Sequence, residues 1–171
     1  YSLDHLLQDP AFLALISGAD AIIFSDYAKG VINDPLLTVL RAHITTLAQQ
    51  PLLIIDPKPK RHLDLHGMTL MTPNRTEALQ LAGLDSSPDA DFDDVAVCDA
   101  IFNTYQPDKL VITLGAEGML LGENGQLIGR IATEAREVFD VSGAGDTVVA
   151  MLTAALAAGE SLKEAAVLAN R

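Results

Sequence analysis

The chain of 171 residues has one cysteine, no tryptophan, and only 11 lysine and arginine residues against 23 aspartate and glutamate residues. The single Cys98 excludes an intrachain disulfide and a zinc site built on thiolates. The net charge of −12 argues against a nucleic-acid partner, because phosphate backbones attract lysine and arginine. Any phosphate must therefore be bound locally, by a few well-placed groups.

Long apolar runs are also missing. No uncharged stretch reaches the roughly 20 residues of a membrane span, and residues 1–10 lack the basic and then apolar pattern of a signal peptide. These absences predict a cytoplasmic protein without a membrane partner. Hydrophobic residues make up 49% of the chain, which predicts a globular domain with a substantial core. The first residue, Tyr1, is not methionine, which is typical of a fragment.

Short strand-like runs alternate with longer helical stretches, which predicts an α/β fold with parallel strands joined by right-handed crossovers. A continuous apolar run such as residues 52–55 is typical of a strand buried on both faces. Strands are predicted at residues 21–24, 52–55, 69–72, 110–114 and 138–141. Helices are predicted at residues 33–49, 73–81, 91–105 and 147–158, and from residue 161 onward.

Two local patterns refine this prediction. The Asn124-Gly125 pair lies between apolar runs at residues 118–121 and 127–131, which predicts an antiparallel hairpin at a sheet edge. The alanine-rich helix at residues 147–158 has the small side chains of a tightly packed, buried helix. No repeat or linker interrupts the elements, so we expect a single domain.

A glycine-rich turn at residues 140–147 (D-V-S-G-A-G-D-T) leads directly into that helix. Its glycines let the backbone approach a ligand closely, and the first amides of a helix lack internal partners and lie at the positive end of its dipole. A phosphate would fit there, and Asp146 could accept the proton of an attacking hydroxyl. Alternatively, Asp146 only complements the helix dipole. The spacing alone does not decide between the two.

Residues 140–147 resemble the signature D-[TS]-x-G-A-G-D of the ribokinase-like (PfkB-type) carbohydrate kinases. Residues 72–77 resemble the family's T-P-N-x-x-E, residues 111–118 its V-T-x-G-x-x-G, and Ala169-Asn170 its A-N pair. Within the family, residues 25–30 (S-D-Y-A-K-G) and 55–58 (I-D-P-K) are most similar to the D-glycero-D-manno-heptose 7-phosphate kinases. Those enzymes make the heptose precursor of bacterial lipopolysaccharide. The resemblance covers essentially the whole chain.

The resemblance implies a ribokinase-like three-layer α/β/α fold, with a mainly parallel sheet and an antiparallel edge hairpin, truncated at both ends. In the family, the preceding half supplies the first strands, a β-lid and much of the sugar pocket, and later segments help to enclose adenine. We therefore expect residues 1–171 to be the C-terminal nucleotide-binding portion of a kinase domain, inactive by itself. The full-length parent could be a homodimer, because family members commonly dimerise through the lid.

The reaction that the resemblance implies transfers the γ-phosphoryl group of ATP, with Mg²⁺, to the anomeric hydroxyl of D-glycero-β-D-manno-heptose 7-phosphate. Asp146 would be the catalytic base, and the backbone of Gly143, Ala144 and Gly145 would form the anion hole. Glu77 would organise Mg²⁺ through water, since this ion tends to keep its hydration shell. The nucleotide would be bound by Asn74, Glu77, Thr113, Gly115 and Gly118, and the sugar phosphate by Asp26, Lys29 and Lys58.

Most of these positions also have a purely structural interpretation. The N-x-x-E pattern at residues 74–77 is a capping box, and Gly115 ends a predicted strand as an ordinary turn residue would. Lys29 and Lys58 could be solvated loop lysines, and Asp26 could brace its own turn. For the whole chain, the alternatives are another sugar or nucleoside kinase of the same family, or a catalytically inert nucleotide-binding fragment.

Overall fold

The structure is a computed structural model and describes residues 8–60, 62–87, 89–133 and 143–170. Its strands are β1 (Ala21–Ser25), β2 (Leu52–Asp56), β3 (Leu70–Met71), β4 (Lys109–Thr113), β5 (Met119–Glu123) and β6 (Gln126–Ile131). Its helices are α1 (Pro10–Ser17), α2 (Asp34–Ile44), α3 (Arg75–Leu81), α4 (Asp94–Tyr105), α5 (Ala144–Ala157) and α6 (Leu162–Ala169). A short 3-10 helix covers Gly115–Glu117.

The described strands form one sheet whose spatial order, from β1 to β6, follows the chain. Strands β1 to β4 are parallel, and β5 and β6 are antiparallel at one edge. The predicted hairpin is confirmed, and its turn residues Asn124 and Gly125 have positive φ angles of 52° and 80°. Positive φ at both central residues is the requirement of the tight turns that match strand twist, and this explains the Asn-Gly pair.

Alternate residues of the central strands divide the core into two layers. On one face, Ile55 and Ile112 pack with residues of α2, α3 and α4. On the other face, Ile54 and Val111 pack with residues of α5 and α6. Since successive side chains of a strand point to opposite faces, the continuous apolar runs in β2 and β4 supply apolar side chains to both layers of the core. The predicted α/β class with a mainly parallel sheet is confirmed.

Helix starts follow the capping residues that the sequence offers. The side chain of Asn33 accepts a hydrogen bond from the backbone of Leu36 at 2.9 Å and caps α2. Ser161 and Glu164 form a reciprocal capping box at the start of α6. Each such cap stabilises its helix by about 1 kcal/mol. No described helix is long and apolar enough to cross a membrane.

Several predicted boundaries were wrong. Helix α1 was not predicted, although Asp9 caps it and proline occupies its first turn. Helix α2 ends at Ile44 rather than at residue 49. Helix α5 begins three residues earlier than predicted, so the glycine-rich turn itself forms its first turn. The strand predicted at residues 138–141 lies outside the described residues.

The alanine-rich helix α5 is buried on one face only, which corrects the prediction of a tightly packed, buried helix. Val149, Leu152 and Ala155 are buried, whereas the side chain of Met151 is 43% exposed. Small side chains predict close packing, but they do not specify how many sides of a helix are covered. In this chain, close packing occurs against α6 and the sheet.

Gly118, which precedes β5, occupies a position where no other residue fits. Its φ is +90°, and a Cβ atom there would lie 1.9 Å from the carbonyl oxygen of Ile131.

The substitution Gly118→Ala should therefore displace the hairpin and lower the free energy of unfolding by about 3 kcal/mol. Gly125→Ala is the matched control. Its φ is +80°, but in the described part of the chain no atom lies within 4 Å of the added carbon, so we expect a loss of only about 1 kcal/mol. Urea unfolding of both variants measures the difference, and equal losses would contradict the steric explanation.

Candidate active site

Polar side chains from several loops meet at the carboxyl edge of the parallel strands. Tyr27 follows β1, Asp56 ends β2, Asn74 follows β3, and Thr113 ends β4. With Asp146 and other residues of the α5 N-terminus, they line a cavity of about 210 Å³. Ligands of open α/β sheets bind at this edge because the loops after parallel strands converge there.

The N-terminus of α5 opens onto this cavity. Gly143 is the N-cap, with a left-handed φ of 81°, and no side chain in the described residues caps the helix. The carbonyl oxygen of Gly143 accepts the backbone hydrogen bond of Thr147 at 3.0 Å. The amides before Thr147 are the ones that an α-helix leaves without internal partners. Gly143 and Gly145 line the cavity, and no atom of the described residues lies within 4 Å of a Cβ placed on either, so a ligand could approach the backbone closely.

Asp146 lies in the first turn of α5 and is exposed on the cavity wall. The Tyr27 hydroxyl donates to this carboxylate, 3.1 Å from Oδ2 and 3.3 Å from Oδ1. The acid and the N-terminal amides of α5 therefore face the same space. This juxtaposition can supply a proton acceptor and an anion site to one reacting group.

Lys58 is the centre of an ion-pair network on the opposite wall. Its Nζ lies 2.5 Å from Oε1 of Glu77 and 3.7 Å from Oδ2 of Asp56. Partial burial by itself would lower the pKa of Lys58. The hydrogen bond to Glu77 and the charges of both carboxylates outweigh burial and raise that pKa above its ordinary value. Lys58 is therefore a fixed positive charge at the cavity rather than a solvated loop lysine.

Asn74 and Glu77 form the capping box of α3. Oδ1 of Asn74 accepts from the backbone of Glu77 at 3.0 Å, and Oε2 of Glu77 accepts from the backbone of Asn74 at 2.9 Å. The other carboxylate oxygen of Glu77 binds Lys58. The two reciprocal hydrogen bonds show that the capping interpretation is correct. Glu77 is only 7% exposed, and the same side chain also lies on the cavity wall.

Asp56 is one of two site residues that the sequence prediction missed. Burial raises its pKa from 3.8 to about 6; Lys58 opposes this shift, and the nearby charges of Glu77 and Asp146 add to it. The signal that could have identified Asp56 was its position at the end of a buried parallel strand. Lys58 was singled out because it follows the same strand. Tyr27 was missed as well, because the resemblance of residues 25–30 drew attention to the charged residues Asp26 and Lys29 rather than to the tyrosine between them.

The structure does not bring every predicted site residue to the cavity. Lys29 is exposed and does not line the cavity. Asp26 is 2% exposed, and its Oδ1 accepts from the backbone of Ala28 at 2.8 Å, so it braces its own turn. Gly118 shapes the hairpin, as described above. A ligand-binding role for these three residues remains a prediction from the family resemblance.

A family model described as pfkB family carbohydrate kinase matches residues 3–171. The chain belongs to this family. It is 40% identical over 171 residues to the bifunctional protein HldE of Rhodospirillum rubrum, covering 99% of this chain and 33% of that protein. It is 43% identical over 159 residues to the HldE of Trichlorobacter lovleyi, covering 91% and 31%. The chain thus spans about a third of the length of the curated relatives that it matches.

Solved structures of the pfkB type share the fold. The ribokinase of Arabidopsis thaliana complexed with ribose and ATP has a TM-score of 0.73 at 21% identity, over 95% of this chain and 52% of that one. The phosphofructokinase-2 of Escherichia coli in complex with fructose-6-phosphate has a TM-score of 0.70 at 19% identity, over 99% and 55%. The ribokinase-like fold is confirmed.

A wider groove of about 610 Å³ adjoins the cavity and matches a nucleotide in its chemistry. Lys58, Asn74, Glu77 and Thr113 line both spaces, so a molecule bound in the groove can reach the α5 N-terminus. Gly115 lines the groove with a positive φ of 60° and open space beside it. The groove therefore offers the cations of Lys58, Lys60 and Arg75, side-chain hydroxyl and amide groups, and exposed backbone to an elongated anionic ligand.

The oxygen donors of the cavity fit a hydrated Mg²⁺ ion. Both carboxylate oxygens of Glu77 are already engaged, one by Lys58 and the other by the Asn74 backbone. Glu77 would therefore reach the ion through water. Within the described ranges, no three His, Cys, Asp or Glu residues are placed to hold a metal directly. Magnesium keeps several waters and takes phosphate oxygens as further ligands, so no protein cage is required.

The raised pKa of Asp56 predicts a pH-dependent contribution to stability. Because the folded-state pKa is about 6 and the ordinary value is 3.8, the folded protein binds this proton more tightly than the unfolded chain. The stability that this group contributes is full below pH 3.8 and is lost as pH rises through about 6. Asp56→Asn removes the charge, so its gain in the free energy of unfolding over the wild type should be largest above pH 7.

Urea unfolding between pH 4 and 8, without Mg²⁺ and nucleotide, measures this difference. Asp99→Asn makes the same chemical change on the exposed face of α4 and is the control. A difference between wild type and Asp56→Asn that is constant with pH would contradict the assignment of the raised pKa to Asp56.

Proposed function

We propose that the chain is the nucleotide-binding part of an ATP-dependent kinase. This kinase phosphorylates D-glycero-β-D-manno-heptose 7-phosphate at its anomeric hydroxyl. The observation that carries the proposal is the shared cavity in which the Asp146 carboxylate lies beside the open N-terminus of α5. Membership of the pfkB family of carbohydrate kinases supports the reaction class.

Asp146 is the general base of the proposed reaction. Its carboxylate takes the proton of the acceptor hydroxyl as that oxygen forms a bond to the γ-phosphorus of ATP. The bond between the γ-phosphorus and the β–γ bridging oxygen breaks, and ADP leaves with that oxygen. The backbone at Gly143, Ala144 and Gly145 stabilises the charge on the transferred group through amides that need no reorganisation.

The opposite wall binds the nucleotide. Lys58 is kept charged by Glu77 and Asp56, and its ammonium group is a compact charge suited to phosphate. Asn74, Thr113 and Gly115 contribute polar groups and backbone along the groove. Mg²⁺, held through water near Glu77, would neutralise the charge of the phosphates. In a chain of net charge −12, this local cation and the ion offset the repulsion between acidic walls and ATP.

The heptose phosphate acceptor is proposed on narrower grounds. Residues 25–30 and 55–58 are most similar to the heptose 7-phosphate kinases, and they contribute Tyr27, Asp56 and Lys58 to the cavity. Curated relatives at about 40% identity carry the name HldE. The product would enter synthesis of the heptose precursor of lipopolysaccharide, a cytoplasmic process, and the full-length protein could act as a homodimer.

Another sugar or nucleoside kinase of the family is the alternative, because structures of the same fold include a ribokinase and an adenosine kinase. A panel of acceptors separates these functions. With the full-length protein, ATP and Mg²⁺, we expect ADP to form with heptose 7-phosphate and not with fructose 6-phosphate, ribose or adenosine. Turnover on fructose 6-phosphate, ribose or adenosine but not on heptose 7-phosphate would contradict the proposed substrate. The proposed reaction class, phosphoryl transfer from ATP, would still hold. No transfer to any acceptor would favour an inert nucleotide-binding protein.

The base is tested by Asp146→Asn in the full-length protein. The amide cannot accept the proton but keeps the shape of the side chain, so turnover should fall about 10³-fold. The dissociation constant for ATP, measured by calorimetry, should stay within about twofold because the nucleotide is bound mainly by the opposite wall. Asp99→Asn, on the surface of α4, should change neither quantity. Substantial turnover by the Asp146 variant would exclude Asp146 as the base.

A further inference from the structure

We propose that Tyr27 is a positioning residue for Asp146. In this role its hydroxyl fixes the orientation of the carboxylate and leaves one oxygen for the acceptor. The inference rests on the proposed function and adds to it a residue to which the family resemblance assigned no role. The two residues are far apart in the chain, at the end of β1 and in the first turn of α5, and the fold brings them together.

The contact itself is the first support. The Tyr27 hydroxyl lies 3.1 Å from Oδ2 and 3.3 Å from Oδ1 of Asp146. In the described part of the chain, no other side chain forms a hydrogen bond with this carboxylate. A single hydroxyl has one proton to donate, so it can hold one oxygen and release the other. An acceptor hydroxyl must make the same kind of bond before it gives up its proton.

The turn that carries Tyr27 is the second support. Ala28 has a positive φ of 55°, a conformation that is unfavourable for a residue with a Cβ atom. The buried carboxylate of Asp26 stabilises it by accepting from the Ala28 backbone at 2.8 Å. Strained backbone of this kind tends to be kept where it presents a functional group. In this chain, the strained turn directly follows Tyr27.

The exposure of Tyr27 and the charges around Asp146 indicate that the hydrogen bond between them does more than stabilise the fold. The Tyr27 side chain is 59% exposed, so burial of its ring contributes little to stability. The charge of Asp146 acts unfavourably on Asp56 across the cavity. By donating a hydrogen bond, the Tyr27 hydroxyl holds the Asp146 carboxylate in place despite its repulsion from Asp56.

Tyr27→Phe in the full-length protein tests the inference, because it removes the hydroxyl and keeps the ring. We expect kcat to fall about tenfold, with the KM for ATP unchanged and the thermal midpoint within about 2 °C of the wild type. Tyr105→Phe is the matched control. Tyr105 ends α4 and packs against the core layer that contains α2, α3 and α4, whereas α5 and its Asp146 belong to the other layer, so this variant should keep the wild-type kcat and KM.

A double variant distinguishes positioning through Asp146 from an independent effect. If Tyr27 acts only by orienting that carboxylate, Tyr27→Phe should not lower the residual activity of Asp146→Asn any further. A further tenfold loss, or a wild-type kcat in Tyr27→Phe alone, would overturn the inference and leave the proposed function intact. A wild-type protein that phosphorylates no acceptor would overturn the proposed function, and the inference with it.

Discussion

The ion pair between Lys58 and Glu77 is the interaction on which the geometry of the site depends. It joins the loop after β2 to the first turn of α3, with Nζ and Oε1 2.5 Å apart. Without Lys58, the carboxylates of Asp56 and Glu77 would face Asp146 across the cavity with no cation among these residues. Removing one partner of a partly buried pair leaves the other charge uncompensated, which costs more than the pair itself contributes. The site is therefore an acidic cavity organised around one fixed positive charge.

The sheet determines where that charge lies. Parallel pairing of β1 with β2 places Ser25 opposite Asp56, and an isolated bridge links Asn74 to Thr113. These pairings align the ends of four strands, so short loops suffice to bring their side chains together. The helix that completes the site, α5, packs on one face of the same sheet through Val149 and Leu152. Backbone hydrogen bonds and core packing thus fix the positions of the polar groups before any ligand is present.

Much of the fold could be predicted, because its determinants are local. Buried parallel strands require continuous apolar runs, and the hairpin requires Asn124-Gly125. Helix α1 was missed because a short helix at the surface has little apolar periodicity. The site was predicted less completely. Motifs identified Asp146, Glu77 and Lys58, but the roles of Asp56 and Tyr27 arise from contacts between segments that are distant in the chain. No spacing rule reports such contacts.

Structural and functional interpretations of one residue need not exclude each other. Glu77 caps α3 with one carboxylate oxygen and binds Lys58 with the other, so the capping box orients the same group that the site uses. Asp26 braces a strained turn, and that turn presents Tyr27 to Asp146. In both cases a hydrogen bond that stabilises the backbone also restricts the orientation of a side chain at the cavity. Since a preorganised site pays its ordering cost during folding, residues that stabilise these turns contribute to the chemistry without contacting the reacting atoms.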